Sequence, residues 1–208
     1  QVDPAVFEAM RPFFCERYGN PSSIHGFGGR VAKDVEHARL QVAELIGAAH
    51  RNVHGHASEV IFTSCGTESD SAAIWSAMLS RPERRKFVTT KVEHPAVLNL
   101  GKELVRRGYE VVTVGVDERG RINWDELDKA VDGNTALVSA MWANNETGTI
   151  FPVRKIAELA HARGALFHTD AVQAAGKVPI NLEESNIDFA SFSGHKLHAP
   201  KGIGVLYV

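Results

Sequence analysis

Short apolar runs rich in β-branched residues recur along the chain. Between most of them the apolar positions open out to a spacing of three and four. Strands are predicted at "EVIFTS", "KFVTT", "EVVTVGV", "TALVSAMWA", "ALFHTDA", "DFASFS" and "GIGVLYV". From Phe27 to Ile46, the residues Val31, Val35, Ala38, Val42 and Leu45 fall on one helical face with charges between them. Asp125 to Val131 and Val153 to Arg163 predict shorter helices, the second opened by Pro152 and closed by Gly164. Strands alternating with helices predict an α/β fold, a mostly parallel sheet covered by helices on both faces. No linker, repeat or low-complexity stretch divides the chain.

Composition narrows the function classes. With 44% apolar and 23% charged residues in 208 positions, the chain suits one large domain with an ordinary core. A net charge of -2 offers no general attraction to nucleic acid. No apolar run has the length of a membrane span, and no signal-peptide pattern opens the sequence. The two cysteines, Cys15 and Cys65, are too few for a disulfide framework, which points to a reducing compartment and a cytoplasmic protein. His50, His54 and His56 share a Gly-rich loop. No cysteine or acidic side chain lies among them, so the loop reads as solvated and no metal site is expected.

Ligands of such sheets gather at the carboxyl ends of the strands, so the residues standing there carry the functional reading. After the first strand, "SCGTESDSAAIW" opens a helix whose free N–H groups and Thr67 hydroxyl suit a phosphate; Thr67 and Glu68 also fit an ordinary helix start. His94 precedes a proline that begins the next helix, where an imidazole can stack on a ring, move a proton or simply cap. Asn144 and Asn145 interrupt an apolar strand, and turn chemistry accounts for only one of them. Asp170 ends another apolar strand and needs a cationic partner if it is charged; as a helix cap it would need none. Gln173, one helical step on, can reach the same ligand. Ser193 and His195 flank the sixth strand end as phosphate donors, and Lys196 offers a primary amine able to condense with an aldehyde. Taken singly, each has an unremarkable explanation. Together they are the parts that hold pyridoxal 5'-phosphate: a carboxylate for the ring nitrogen, a lysine for the aldehyde and a helix start for the phosphate.

The stretches "GNPSSIH", "FTSCGTESD", "TTKVEHPAVL", "MWANNETGT", "HTDAVQAAGK" and "SGHKLHAPKGIGVLYV" resemble the cysteine desulfurases of the pyridoxal-phosphate fold-type I group (class V aminotransferase superfamily), most closely their NifS-like branch. The resemblance covers essentially the whole chain. It implies a large domain with a seven-stranded sheet in which "GIGVLYV" is the antiparallel member. It also implies that Gly66, Thr67, Ser193 and His195 hold the phosphate, His94 stacks on the ring, and Asn145 and Gln173 contact the ring hydroxyl. Asp170 would then pair with the ring nitrogen, and Lys196 would form the Schiff base and, with His94, move protons.

The activity implied is conversion of L-cysteine to L-alanine. The sulfur would pass through an enzyme persulfide to an iron–sulfur scaffold protein, in service of nitrogenase, in a homodimer. The family's persulfide cysteine and its substrate-carboxylate arginine lie in a C-terminal region beyond Val208, so the small domain is expected to be absent and these 208 residues inactive alone. Residues 1–26 are expected to form an N-terminal segment and residues 27–208 an incomplete cofactor-binding domain. Cys65 is expected to be a packing residue, and residues 51–56 an insertion. A selenocysteine lyase, another class V aminotransferase or a non-catalytic module are the alternatives.

Overall fold

The structure is a computed structural model that describes residues 1–48 and 57–208. His50, His54, His56 and the expected insertion at 51–56 lie outside the described residues. In chain order the elements begin with three helices, α1 (Pro4–Met10), α2 (Pro12–Cys15) and α3 (Gly26–Leu45). There follow β1 (Val60–Thr63), α4 (Gly66–Ser80), β2 (Lys86–Thr90), α5 (Pro95–Arg106) and β3 (Glu110–Val114). Next come α6 (Trp124–Ala130), β4 (Thr135–Ser139), α7 (Val153–Ala162) and β5 (Leu166–Asp170). The last elements are α8 (Leu182–Ser185), β6 (Phe189–Ser193), a 3-10 turn (Gly194–Leu197) and β7 (Gly204–Tyr207).

All seven predicted strands form one sheet in the order β1-β7-β6-β5-β4-β2-β3. The pairs β2–β3, β2–β4, β4–β5 and β5–β6 are parallel. β7 runs antiparallel to both β1 and β6, so β1 points the same way as the parallel strands. The expected antiparallel role of "GIGVLYV" is thus met.

The two-residue period of the strands divides the core between the faces of the sheet. Phe87, Leu137, Val111 and Phe189 pack on one side with Ile74, Ala77 and Met78 of α4 and with Val97 and Leu104 of α5. Their neighbours Val88, Val138, Val112 and Ala190 face the other side, with Ala43 of α3, Leu127 of α6 and Ile156 and Ala160 of α7. The inner strands β2, β4, β5 and β6 therefore bury both faces, which is why they read as largely apolar runs.

Several boundaries differ from the sequence pattern. β3 stops at Val114 because the Gly115 N–H donates to Glu126 Oε2 at 2.7 Å, leaving Val116 only an isolated bridge to Ile122. β4 ends at Ser139, although Ala140 and Trp142 still donate to the carbonyls of His168 and Asp170. After β5 the expected helical step to Gln173 is absent. Residues 172–177 form successive turns, ending near Gly176 at φ 70°, where a residue without a side chain is favoured. The first helices are tied to the site end of the molecule by the Asp3 N–H, which donates to the His198 carbonyl at 3.0 Å.

Candidate cofactor site

Because β1 runs parallel to β2, β4, β5 and β6, the carboxyl ends of all five strands reach one edge of the sheet. A cavity of about 320 Å³ opens there, at the small end of the range for ligand pockets, roughly 300–1,000 Å³. Gly66, Thr67, His94, Asn145, Asp170, Gln173, Ser193, His195 and Lys196 all line it. The structure therefore brings together every residue the sequence singled out for cofactor binding. Cys65, Asp70, Met141 and Val172 complete the wall.

The end of the cavity at the start of α4 suits a phosphate. The first N–H groups of the helix lack intrahelical acceptors by construction. Thr67 is not the cap: Cys65 occupies that position in extended conformation and makes no side-chain cap bond. The helix start is instead braced from outside. Glu68 Oε2 accepts from both the backbone N–H and the hydroxyl of Ser64, each at 2.6 Å. Thr67 stays exposed, so its hydroxyl is available to a ligand. Gly66 is buried, and a Cβ there would stand 3.1 Å from Val172 Cγ2 and 3.3 Å from Ser193 Cβ. A glycine thus lets α4 approach the end of β6. Ser193 Oγ lies 2.8 Å from His195 Nδ1, which fixes the two groups relative to each other.

His94 does two jobs. As N-cap of α5, its Nδ1 accepts from the Ala96 N–H at 3.1 Å. In the neutral ring this places the proton on Nε2, the nitrogen left free. The asparagines separate cleanly. Asn144 Oδ1 accepts from the N–H groups of Glu146 and Thr147, both at 2.9 Å, and its Nδ2 donates to the Val92 carbonyl at 3.2 Å. It shapes the loop, and Asn145 is the one that lines the cavity. Gln173 reaches the cavity from the turn segment and accepts from Lys177 Nζ at 2.9 Å.

Asp170 is 5% exposed. One oxygen accepts from the Val172 N–H at 2.9 Å in a turn, so it is not a helix cap. Burial raises its pKa against the pull of that hydrogen bond.

Three buried titratable groups near it were not picked out from the sequence. Asp70, on α4, is 1% exposed, and burial with the nearby Asp170 pushes its pKa well up. Glu93 is pushed up to about 8 by complete burial, although Thr90 Oγ1 and the Met141 N–H donate to it at 2.6 and 2.9 Å. His168 is held neutral, its pKa lowered to about 3 by burial, with Ser139 Oγ 2.8 Å from Nδ1 and Ser191 Oγ 3.0 Å from Nε2. Asp70 lies one helical turn after Gly66 and Thr67, and that spacing is the signal that marks it.

Cys65 corrects an expectation. It is not a packing residue: it is partly exposed and lines the cavity. The Glu68 backbone N–H, then the Ser64 hydroxyl, favour its thiolate and lower its pKa.

Among the described residues, Asp70, His94 and Asp170 also place potential metal-ligand atoms within 4.8 Å of one another. That cluster is the floor of the same cavity. The donor set fits pyridoxal phosphate: a buried carboxylate for a protonated ring nitrogen, an amine, an imidazole, and helix-start N–H groups with two hydroxyls for the phosphate.

Comparison with known proteins agrees with this chemistry. The aminotransferase class-V family matches residues 1–208. The chain belongs to that family. It is 54% identical over 208 residues to a cysteine desulfurase of Nostoc sp., covering all of this chain and 50% of the relative. It is 52% identical to the cysteine desulfurase NifS of Azotobacter vinelandii, again covering all of this chain and 50% of the relative. A solved NifS-like protein superimposes with a TM-score of 0.93 at 43% identity, covering 100% of this chain and 56% of that one. The chain thus spans about half the length of the curated relatives it matches.

Proposed function

We propose that this chain is the cofactor-binding portion of a cysteine desulfurase that uses pyridoxal 5'-phosphate to convert L-cysteine to L-alanine. The observation that carries the reading is the meeting of Lys196, Asp170 and the start of α4 around one cavity. The match to cysteine desulfurases over the whole chain supports the reaction. Bound there, the cofactor would supply an aldehyde that condenses with amines and a protonated ring that accepts an electron pair.

The chain's own residues set up that chemistry. The N–H groups at the start of α4, with Thr67, Ser193 and His195, would hold the phosphate and so fix the orientation of the ring. Asp170 would take the protonated ring nitrogen as its partner, since a buried carboxylate without a cation is costly. Asn145 and Gln173 would hydrogen-bond the ring hydroxyl. His94 would lie against the ring with Nε2–H free to donate. Lys196 would supply the amine for the aldehyde and hold or move a proton at its Nζ.

Residues 1–26 act as an arm and 27–208 as the cofactor domain. Phe7, Phe13, Phe14 and Tyr18 are exposed, an apolar surface suited to a second copy in a homodimer. The sulfur passes to a protein thiol and then to an iron–sulfur scaffold protein, in nitrogenase assembly as the NifS name of one relative suggests. Both cysteines are free, in keeping with a cytoplasmic setting. Among the described residues, no helix is long and apolar enough to cross a membrane.

The test is borohydride reduction of the cofactor-loaded protein followed by peptide mapping, with alanine measured after addition of L-cysteine. Label on Lys196 is expected, and stoichiometric alanine from the whole enzyme of which this chain is the cofactor-binding portion. Label on Lys177 or Lys201 would overturn the site. Turnover of selenocysteine alone, or amino transfer without alanine, would move the protein to a neighbouring class V activity.

A further inference from the structure

The floor of the cavity buries two carboxyl groups, and the cofactor reading accounts for one of them. Asp170 has a role in the site. Asp70 has none assigned, yet it lines the same cavity, and a ligand atom of each lies within 4.8 Å of the other and of His94.

The groups that face Asp70 come from four directions. α4 contributes Cys65, β5 contributes Asp170 and His168, the turn after β2 contributes Glu93 and His94, and β6 contributes the Ser191 hydroxyl. Lys196 and His195 line the same cavity. None of these gives Asp70 an ion pair among the described residues. The nearest approach is His168 Nε2, 3.6 Å from Asp70 Oδ1. His168 is fully buried and neutral, so that approach is not an ion pair. Asp70 Oδ1 has no hydrogen-bond partner and no solvent.

An anion in that position would be uncompensated. A carboxylic acid would not be: it carries no charge, and its O–H can be donated to the Ser191 hydroxyl, which in turn faces His168 Nε2 at 3.0 Å. Charge balance with the cofactor gives the same answer. A protonated ring nitrogen brings one positive charge, which one carboxylate neutralises, whereas two would leave a net negative charge in a closed site. Asp170 is the better anion, since it accepts the Val172 N–H at 2.9 Å.

We propose that Asp70 is a positioning residue of this site. It remains a neutral carboxylic acid at neutral pH, so that Asp170 alone presents negative charge to the cofactor ring. The proposal rests on the pyridoxal-phosphate reading. Asp70 acts through Asp170, by keeping the charge opposite the ring nitrogen single and localised.

Infrared difference spectroscopy in the carboxylic-acid C=O stretch tests this on the purified protein, with pyridoxal phosphate bound and after its removal. Glu93 provides an internal standard, because it too is buried. Two carboxylic components are expected in the loaded protein at neutral pH. Asp70→Asn should remove one, Glu93→Gln the other, and Asp170→Asn neither. A component that survives Asp70→Asn in full, or one that vanishes with Asp170→Asn, would overturn the proposal. If Asp70→Asn does not fold, carbon-13 labelling of all aspartates in the Asp170→Asn protein decides the matter. A shifted aspartic C=O band supports the proposal, and no shifted band defeats it. Cofactor binding is read separately from its absorbance. A protein that takes up no pyridoxal phosphate sinks the cofactor reading, while the label still reports the state of Asp70.

Discussion

Gly204 of β7 lies directly against Cys65: a Cβ at Gly204 would stand 2.5 Å from the Cys65 carbonyl carbon and 2.7 Å from its oxygen. The antiparallel strand therefore presses on the residue that caps α4, and only a hydrogen atom fits between them. Gly204→Ala must push the start of α4 away from Ser193. Overpacking of this kind costs about 1–3 kcal/mol, and the displaced N–H groups would no longer converge on the phosphate. A lower unfolding midpoint by calorimetry, together with weaker pyridoxal-phosphate binding, is expected. An unchanged midpoint and affinity would mean that β7 yields freely and that α4 is not held by this contact.

Asp170→Asn keeps the shape and removes the charge. A hydrogen bond to a charged group contributes about 1.5–3 kcal/mol, which corresponds to a ~10–150-fold weaker hold on the cofactor. Equilibrium dialysis of the cofactor should show this loss, and turnover should fall further, because the ring nitrogen would no longer be kept protonated. Wild-type retention and turnover in this variant would remove Asp170 from its assigned place.

The strand ends were legible because chemistry there interrupts apolar runs. Asp170 after "LFHT" and Ser193 after "DFASF" stand out against their surroundings, and the sheet brings them together. Asn144 and Asn145 were not separable by sequence, since both are amides in one loop; only the hydrogen bonds to Glu146 and Thr147 show which one shapes the turn. Asp70 and Glu93 sit among other polar residues, where a carboxyl group raises no question. Their burial comes from the packing of α4 and the β2–α5 turn on the sheet, which is long-range information. Cys65 misled for the converse reason: an apolar-looking residue at a strand end turned out to lie on the wall of the cavity. The helical step expected after Asp170 failed because a string of small residues, "AAG", fits tight turns as well as a helix.

Buried Glu93 gives the protein a stability that depends on pH. Its pKa is about 8 in the folded protein against 4.5 for the free side chain, so the folded state binds the proton more tightly. The contribution is whole below about pH 4.5 and declines as the pH rises through 8. Glu93→Gln cannot ionise and still accepts from Thr90 and Met141 through its amide oxygen. Denaturant unfolding between about pH 4.5 and 8 should show a flatter decline of stability for the variant than for the wild type. Parallel slopes would place the ionisation elsewhere.

Cys65 carries the last prediction. Its thiol lines the cavity with a lowered pKa, so it is nucleophilic and within reach of whatever binds there. It also caps α4 in a fixed, extended conformation, and a thiol so held cannot travel to carry sulfur to an acceptor protein. No arginine lines the cavity among the described residues, so nothing there offers a bidentate grip on a substrate carboxylate. The 208 residues by themselves are therefore expected to bind pyridoxal phosphate, with bound cofactor shielding Cys65 but not Cys15 from alkylation, and to release neither alanine nor sulfide from L-cysteine. Mass mapping of the alkylated peptides and a paired assay of both products, with Cys65→Ser alongside, check the two halves. Activity that disappears in Cys65→Ser would make Cys65 the sulfur-accepting thiol. Activity that survives the substitution would show that sulfur leaves without any thiol of this cavity, and the proposed transfer to a protein thiol would have to be abandoned.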